Sequence, residues 1–520
     1  MPILVTTVVM PTDSNDRAGT SRRSYLKLAT AVAASAGVVG TATAGSLDDE
    51  YGTVVDVTEA GADPDGDESI TPIIEELEGD DTLLKFPPGR YYVDQRIRVT
   101  DREHFGMVGD DATLVPATYD EYDDLGDWNY KLFRLGVDYS PMTDLRVENF
   151  TVDMSAANTG VRALDVVVDD GLVVRDVDVA GRHDTGAWGP GRFVVNDPDG
   201  SGLVERFTAP DGAALSANAP GDRLRWGPSG IICNDYNEGT VTFRDCVVNG
   251  FPDNGLYAAN GTGSIHIEGG HFENNLGANV RLGGHDSYIR DATVVVGRDT
   301  DVRAQRGVRL ENGNLLVVRN VDLRTTVDDS PAVRITDGAD YNFVVDSSIT
   351  AKSEGPNNAI SVRPSGNQTR IKRTDITHDT GGSAAVVIAD GDYPVFLRNV
   401  TVTGSAPADG YYGAIHNRRD DCEFRKVTVD HGGGDSRRAL TNTGSDCMIY
   451  EGEYESESNA IVDAGDSTWI ESITARPRRD EPGLRLTDEA SDIYVKKSRI
   501  VNGIEDYSQD GYSGWGNDLS

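Results

Sequence analysis

The stretch from Gly307 to Thr350 most constrains this chain. It reads GVRLENGNLLVVRNVDLRTTVDDS and then, after Pro331, AVRITDGADYNFVVDSSIT. Each half gives a small residue, an apolar-x-apolar triplet, a turn, a second apolar run, a short corner and a third run. Three strands per turn, recurring about every 25 residues, is the pattern of a solenoid of β-coils. Aligning the triplets gives starts at Gly160, Gly230, Gly255, Asn279, Gly307, Ala332, Ala359, Ala385, Ala414, Ala439, Ala460 and Gly483. From Gly230 the steps are 25, 24, 28, 25, 27, 26, 29, 25, 21 and 23 residues. The residue after each start is predicted to face inward and the next to face outward, because side chains alternate along a strand. An all-β chain of about 12 or more coils follows.

Charge narrows the function. The formal net charge is -38, and eight of the 48 basic residues are Lys. A Lys-poor, acidic surface suits a protein kept hydrated in concentrated salt. It repels phosphate backbones, and no basic arm or nucleic-acid motif stands in the chain, so nucleic acid is excluded as a partner.

The N-terminus reads as an address. Ser21-Arg22-Arg23-Ser24-Tyr25-Leu26-Lys27 resembles the twin-arginine export motif, Leu28–Gly40 is a short apolar run, and Ala42-Thr43-Ala44 fits a cleavage site. The expectation is a secreted protein with a signal segment at residues 1–44, its first 20 residues an upstream extension. The apolar run is too short and too rich in Ala and Gly for stable membrane insertion.

Residues 45–118 read as a cap with the first coils, in which Thr71-Pro72 opens a short helix. Gly61-Ala62-Asp63 with Asp65-Gly66, Phe86-Pro87-Pro88-Gly89 before Tyr91, and Met107-Val108-Gly109 resemble the pectate-lyase-like superfamily of polysaccharide lyases and polygalacturonase-type hydrolases. The resemblance implies a right-handed parallel β-helix closed by an N-terminal capping helix. It covers the cap by motif and the rest by repeat pattern, and the matching residues shape turns. The β-helix is expected over 119–504, with one long loop at 182–229 and a tail at 505–520. Asn149, Asn260, Asn367 and Asn399 each open an N-x-Thr sequon or stand as turn residues.

The predicted outward line of the first sheet is Arg162, Ile232, Tyr257, Arg281, Arg309, Arg334, Ser361, Val387, His416, Thr441, Val462 and Arg485. Guanidinium groups one rung apart suit the carboxylates of a uronic-acid polymer, which Arg grips bidentately. The expected partner is an acidic polysaccharide. The bland alternative is that these arginines are paired with acids, as expected of the corner arginines Arg175, Arg244, Arg290, Arg319, Arg398 and Arg425. For catalysis by β-elimination, Arg281 and Arg309 would neutralise the substrate carboxylate, with Tyr257, a neighbouring Arg or His285 as base. Arg162, Arg334, Trp188, Trp226 and Arg225 are further substrate-binding candidates. No cofactor is required on this reading; Ca²⁺ is the possible one, at Asp235, Glu238 and Glu311. Two other functions stay open: a non-catalytic glycan-binding or surface scaffold, and a glycoside hydrolase using Asp184, Asp197 or Asp199. The polygalacturonase-type Gly-His-Gly is absent, replaced by Gly284-His285-Asp286 and Gly270-His271-Phe272. Cys422 and Cys447 fall one coil apart in one column, so they form a disulfide or a reduced stack.

Overall fold

The computed structural model describes residues 47–520 apart from 126–129, 221–223, 225, 298–304, 337 and 409–411. By internal contacts the chain divides into residues 1–50 and 51–520. A 3-10 turn at Leu47–Asp49 is described in the first; Arg22 and Arg23 lie outside the described residues.

Residues 51–520 form a parallel β-helix of about 16 turns. Its first sheet runs from Ile97–Val99 to Ile504–Asp506, its second from Thr53–Asp56 to Ser513–Trp515, and its third from Gly89–Val93 to Arg499–Ile500. The rungs repeat because each strand alternates: Ser264–Glu268 buries Ile265 and Ile267 and turns Ser264, His266 and Glu268 outward. Each buried Val, Leu or Ile contributes about 1.5–3 kcal/mol, and stacking like on like lets every coil reuse the same pocket. The corner between the second and third sheets is one residue in the left-handed region, for example Asp245, Asp291, Asn320, Asp346 and Asn399. Asp and Asn tolerate that conformation best after Gly. The same requirement accounts for Asn149, with φ 62°.

From Gly230 onward the predicted register holds. Ile231, Leu256, Val280, Val308, Val333 and Ile360 pair rung to rung and are fully buried. Two expectations upstream fail. Arg162 is off the outward line, because Leu164 and Val166 take the inward places opposite Phe133 and Leu135. Asp165 is therefore the outward residue and Arg162 is buried. A slip of this kind exchanges the two faces of a strand. Nor is 182–229 one loop: it contains the strands Gly191–Val195 and Ser201–Ala209, a whole coil. Its inward residue is Gly191, against which the rings of Phe193 and Phe207 close, so the apolar triplet is missing from the sequence.

The helix stands at Thr71–Leu77 with Pro72 in its first turn and Ile74 buried. The cap motifs make turns: Asp63 Oδ2 accepts from the Asp67 and Glu68 amides at 2.7 and 3.0 Å, and Tyr91 donates its hydroxyl to the Pro87 carbonyl at 2.7 Å. Cys422 and Cys447 stand on neighbouring rungs as free, buried thiols, the reduced stack rather than the disulfide. Among the described residues no helix is long and apolar enough to cross a membrane.

Candidate functional site

The outward residues of four successive first-sheet rungs are Tyr257, Arg281, Arg309 and Arg334. The Arg281 guanidinium lies over the Tyr257 ring, 4.5 Å from its centre. Arg281 Nε and Arg309 Nη2 both make ion pairs with Glu311, one to each carboxylate oxygen. Glu311 is 1% exposed, whereas each arginine keeps 22% of its side chain in solvent. Local backbone explains the arrangement. Leu282 pairs with Leu310 but Gly284 pairs with Gly313, so Val308–Asn314 carries one extra residue, a β-bulge. Asn312 absorbs it at φ 47°. Gly283 is required opposite, since a Cβ there would sit 2.6 Å from the Glu311 carbonyl oxygen.

Adjacent guanidinium charges one rung apart, about 5 Å, repel by roughly 1 kcal/mol in water and about 3 kcal/mol at a half-buried site. Glu311 offsets this for Arg281 and Arg309 while using one donor group of each. A guanidinium has five N–H donors, and the contact with Glu311 engages one nitrogen of each. Tyr257 Oη accepts from Asn260 Nδ2 at 2.8 Å, which leaves its own proton for a third group. Burial raises the Tyr257 pKa above its usual value, with the Arg281 charge pulling the other way.

Other candidates are not brought to this cluster. His285 is exposed and four residues beyond Arg281 on the same strand, a run of about 13 Å. It is no base for a proton beside Tyr257. Asp235 and Glu238 are exposed and Glu311 is held between two arginines; among the described residues no group of three or more His, Cys, Asp or Glu converges on a metal position. The described structure does not bring the three Ca²⁺ candidates together. Trp188 covers the buried Arg162, 5.5 Å from its ring centre, and Trp226 is partly exposed. Arg225 lies outside the described residues. The hydrolase candidates lie in the turns between strands. Asp184 accepts from the Asn158 and Gly160 amides, and Asp197 accepts from the Asp199 amide in a turn.

Sequence reasoning placed Glu311 only in the possible Ca²⁺ set. The available signal was its spacing: Arg309 and Glu311 are two apart on one strand and share a face.

The corner arginines behave differently. On the second sheet Glu148, Arg175, Glu205, Arg244, Glu268 and Arg290 occupy one register column, alternating in sign. Arg175 bridges Glu148 and Glu205 at 3.1 and 2.7 Å, and Arg244 and Arg290 reach Glu268 at 3.0 and 2.7 Å. From Glu148 to Arg290 this column is internally paired, but beyond it Arg319 follows Arg290 on the next rung, and Lys372, Arg398 and Arg425 follow one another further along.

No protein-family model matches the chain, and no curated protein does. Solved structures do. The A-module of a mannuronan C-5 epimerase from Azotobacter vinelandii is 11% identical with a TM-score of 0.38, over 89% of this chain and 99% of that one. A double mutant of the tailspike protein of E. coli bacteriophage HK620 is 11% identical at a TM-score of 0.37, over 90% and 79%. The catalytic unit of a thermostable alpha-1,3-glucanase from Streptomyces thermodiastaticus is 13% identical at 0.30, over 93% and 72%. The roles of individual residues rest on this chain's own geometry.

Proposed function

We propose that this chain binds an acidic polysaccharide along the outward face of its first sheet and cleaves it by β-elimination at Tyr257. The observation that carries the reading is the row Tyr257, Arg281, Arg309, Arg334, in which three arginines occupy successive outward positions beside an aromatic one. Arg281 and Arg309, held by Glu311, receive the substrate carboxylate and make the adjacent C5 proton acidic. The Tyr257 phenolate takes that proton, the C4–O bond breaks as the C4–C5 double bond forms, and the leaving oxygen receives the proton from the phenol. The same proposal puts the chain outside the cell, exported through the Ser21–Lys27 motif.

A second reading is favoured by one observation: Arg281 and Arg309 are already paired with Glu311, as in a non-catalytic glycan-binding or surface scaffold. Incubation with alginate and with polygalacturonate separates the two. Elimination leaves an unsaturated sugar whose ultraviolet absorbance grows with time. Tyr257→Phe should abolish that signal and leave retention on the immobilised polymer unchanged. Retention without absorbance selects the scaffold; no retention removes both.

A further inference from the structure

A second cationic cluster stands on the same face, upstream of Tyr257. Its centre is Asp165, which is 2% exposed. Lys131 Nζ contacts one Asp165 oxygen, while Arg162 and Arg192 approach the other at 3.5 and 3.3 Å. Arg192 also reaches Asp138 at 3.3 Å. Arg134 is the rung neighbour of Asp165, and among the described residues no carboxylate lies within ion-pair distance of it. Four cations thus meet two carboxylates. Burial pulls the Lys131 pKa down to about 8 and that of Arg162 to about 10 despite Asp165. Arg162 is 3% exposed, gives its Nε to the Gly189 carbonyl at 3.1 Å, and has a buried Nη2 without a hydrogen-bond partner. A fold that buries a guanidinium and an ammonium around a single carboxylate carries surplus charge at a desolvation cost, and an incoming anion offsets it.

The cluster is in register with the first site. The outward residues step from Asp165 to Arg192, Ile232, Tyr257 and Arg281. Arg192 and Arg281 are three rungs apart, about 14 Å. Between them lie Ile232, which is 4% exposed, and Tyr257, whose half-buried ring suits the uncharged body of a sugar.

We infer that Arg134 and Arg192, with Lys131 and Arg162 behind them, form a second carboxylate-accepting subsite, so that the ligand is an internal stretch of a polyuronate lying across Tyr257 rather than a chain end. This inference rests on the acidic-polysaccharide reading of the face.

The test is the length dependence of affinity, measured by calorimetry with saturated oligouronates of two to eight residues and the full chain carrying Tyr257→Phe to prevent turnover. Affinity should rise about tenfold at the length that first reaches both clusters, the gain expected from one charge-assisted contact. Adding Arg134→Ala should remove that step and leave the shortest binding oligomers unaffected. Because Arg134 makes no ion pair among the described residues, the change should preserve the fold; Arg192→Lys, which retains the charge but not the bidentate fork, is the second variant and should keep no more than part of the step. Binding that is flat with length overturns the second subsite while the face still binds glycan. A step that survives Arg134→Ala and Arg192→Lys also overturns it. No binding at any length overturns the inference together with the reading beneath it.

Discussion

Two arginine columns run along this β-helix and answer the same repulsion differently. On the second sheet the rungs from Glu148 to Arg290 alternate, Glu148, Arg175, Glu205, Arg244, Glu268, Arg290, and each charge in this stretch is paired with the rung above or below. On the first sheet Arg281, Arg309 and Arg334 follow one another, and Glu311 enters from a bulge between the first two. The alternating column shows how this acidic chain balances a sheet when nothing else is asked of it. The like-charged column spends a buried carboxylate and an irregular strand to keep guanidinium groups together and partly exposed.

The largest test compares what each column loses with one charge. Glu311→Gln leaves Arg281 and Arg309 facing each other over a 1%-exposed position. Removing one partner of a buried pair costs about 3–4 kcal/mol. Arg244→Gln removes a side chain that is 42% exposed, while Arg175 and Arg290 still hold its two acids, so the cost should stay below about 1 kcal/mol. Chemical denaturation measures both. Equal losses would mean that the two columns are structurally alike.

The next test uses a third column, inside the first sheet. Asn417 Nδ2 donates to Asn442 Oδ1 and Asn442 Nδ2 to Asp463 Oδ1, both at 2.8 Å. An amide both donates and accepts, so identical residues satisfy one another rung after rung, which identical cations cannot do. Asp463 breaks this pattern. It is fully buried, and desolvation raises its pKa to about 6. The folded state therefore holds the proton more tightly than the unfolded chain. The stability this contributes is present below the unfolded carboxyl pKa and lost as pH rises through about 6. Asp463→Asn should stabilise by about 2–3 kcal/mol above that window and by little at pH 4. A gain independent of pH would place the proton elsewhere.

A related pH test addresses the chemistry. Burial keeps Tyr257 protonated past the ordinary phenol value, so an elimination that uses its phenolate should accelerate steadily with alkalinity. A rate profile that levels off near neutrality would remove Tyr257 as the base.

Much of this was legible in the chain and some was not, for physical reasons. The column from Ile231 to Leu484 could be aligned because Val, Ile or Leu recurs on each rung. The coil at Gly191–Ala209 could not, because its inward place is filled from the side by Phe193 and Phe207 around a glycine. Arg162 misled for the converse reason: Gly160-Val161-Arg162 copies the triplet pattern three residues ahead of the true rung. In the site, Tyr257, Arg281, Arg309 and Arg334 follow from register alone. The grip of Glu311 depends on the extra residue in Val308–Asn314, a tertiary feature that strand alternation does not reveal.

The smallest expected effect bears most directly on function. Arg309→Ala removes one partly exposed guanidinium from the like-charged face, and Arg244→Ala removes one from the alternating column. Retention on immobilised polyuronate should fall about tenfold for the first, the contribution of one charged hydrogen bond, and by less than twofold for the second. Both variants lower the count of positive charges by one, so any general electrostatic effect on an acidic polymer is the same for each. What remains is position. If the two fall equally, the like-charged row is not a binding face, and its bulge and buried glutamate serve only to hold the coil together.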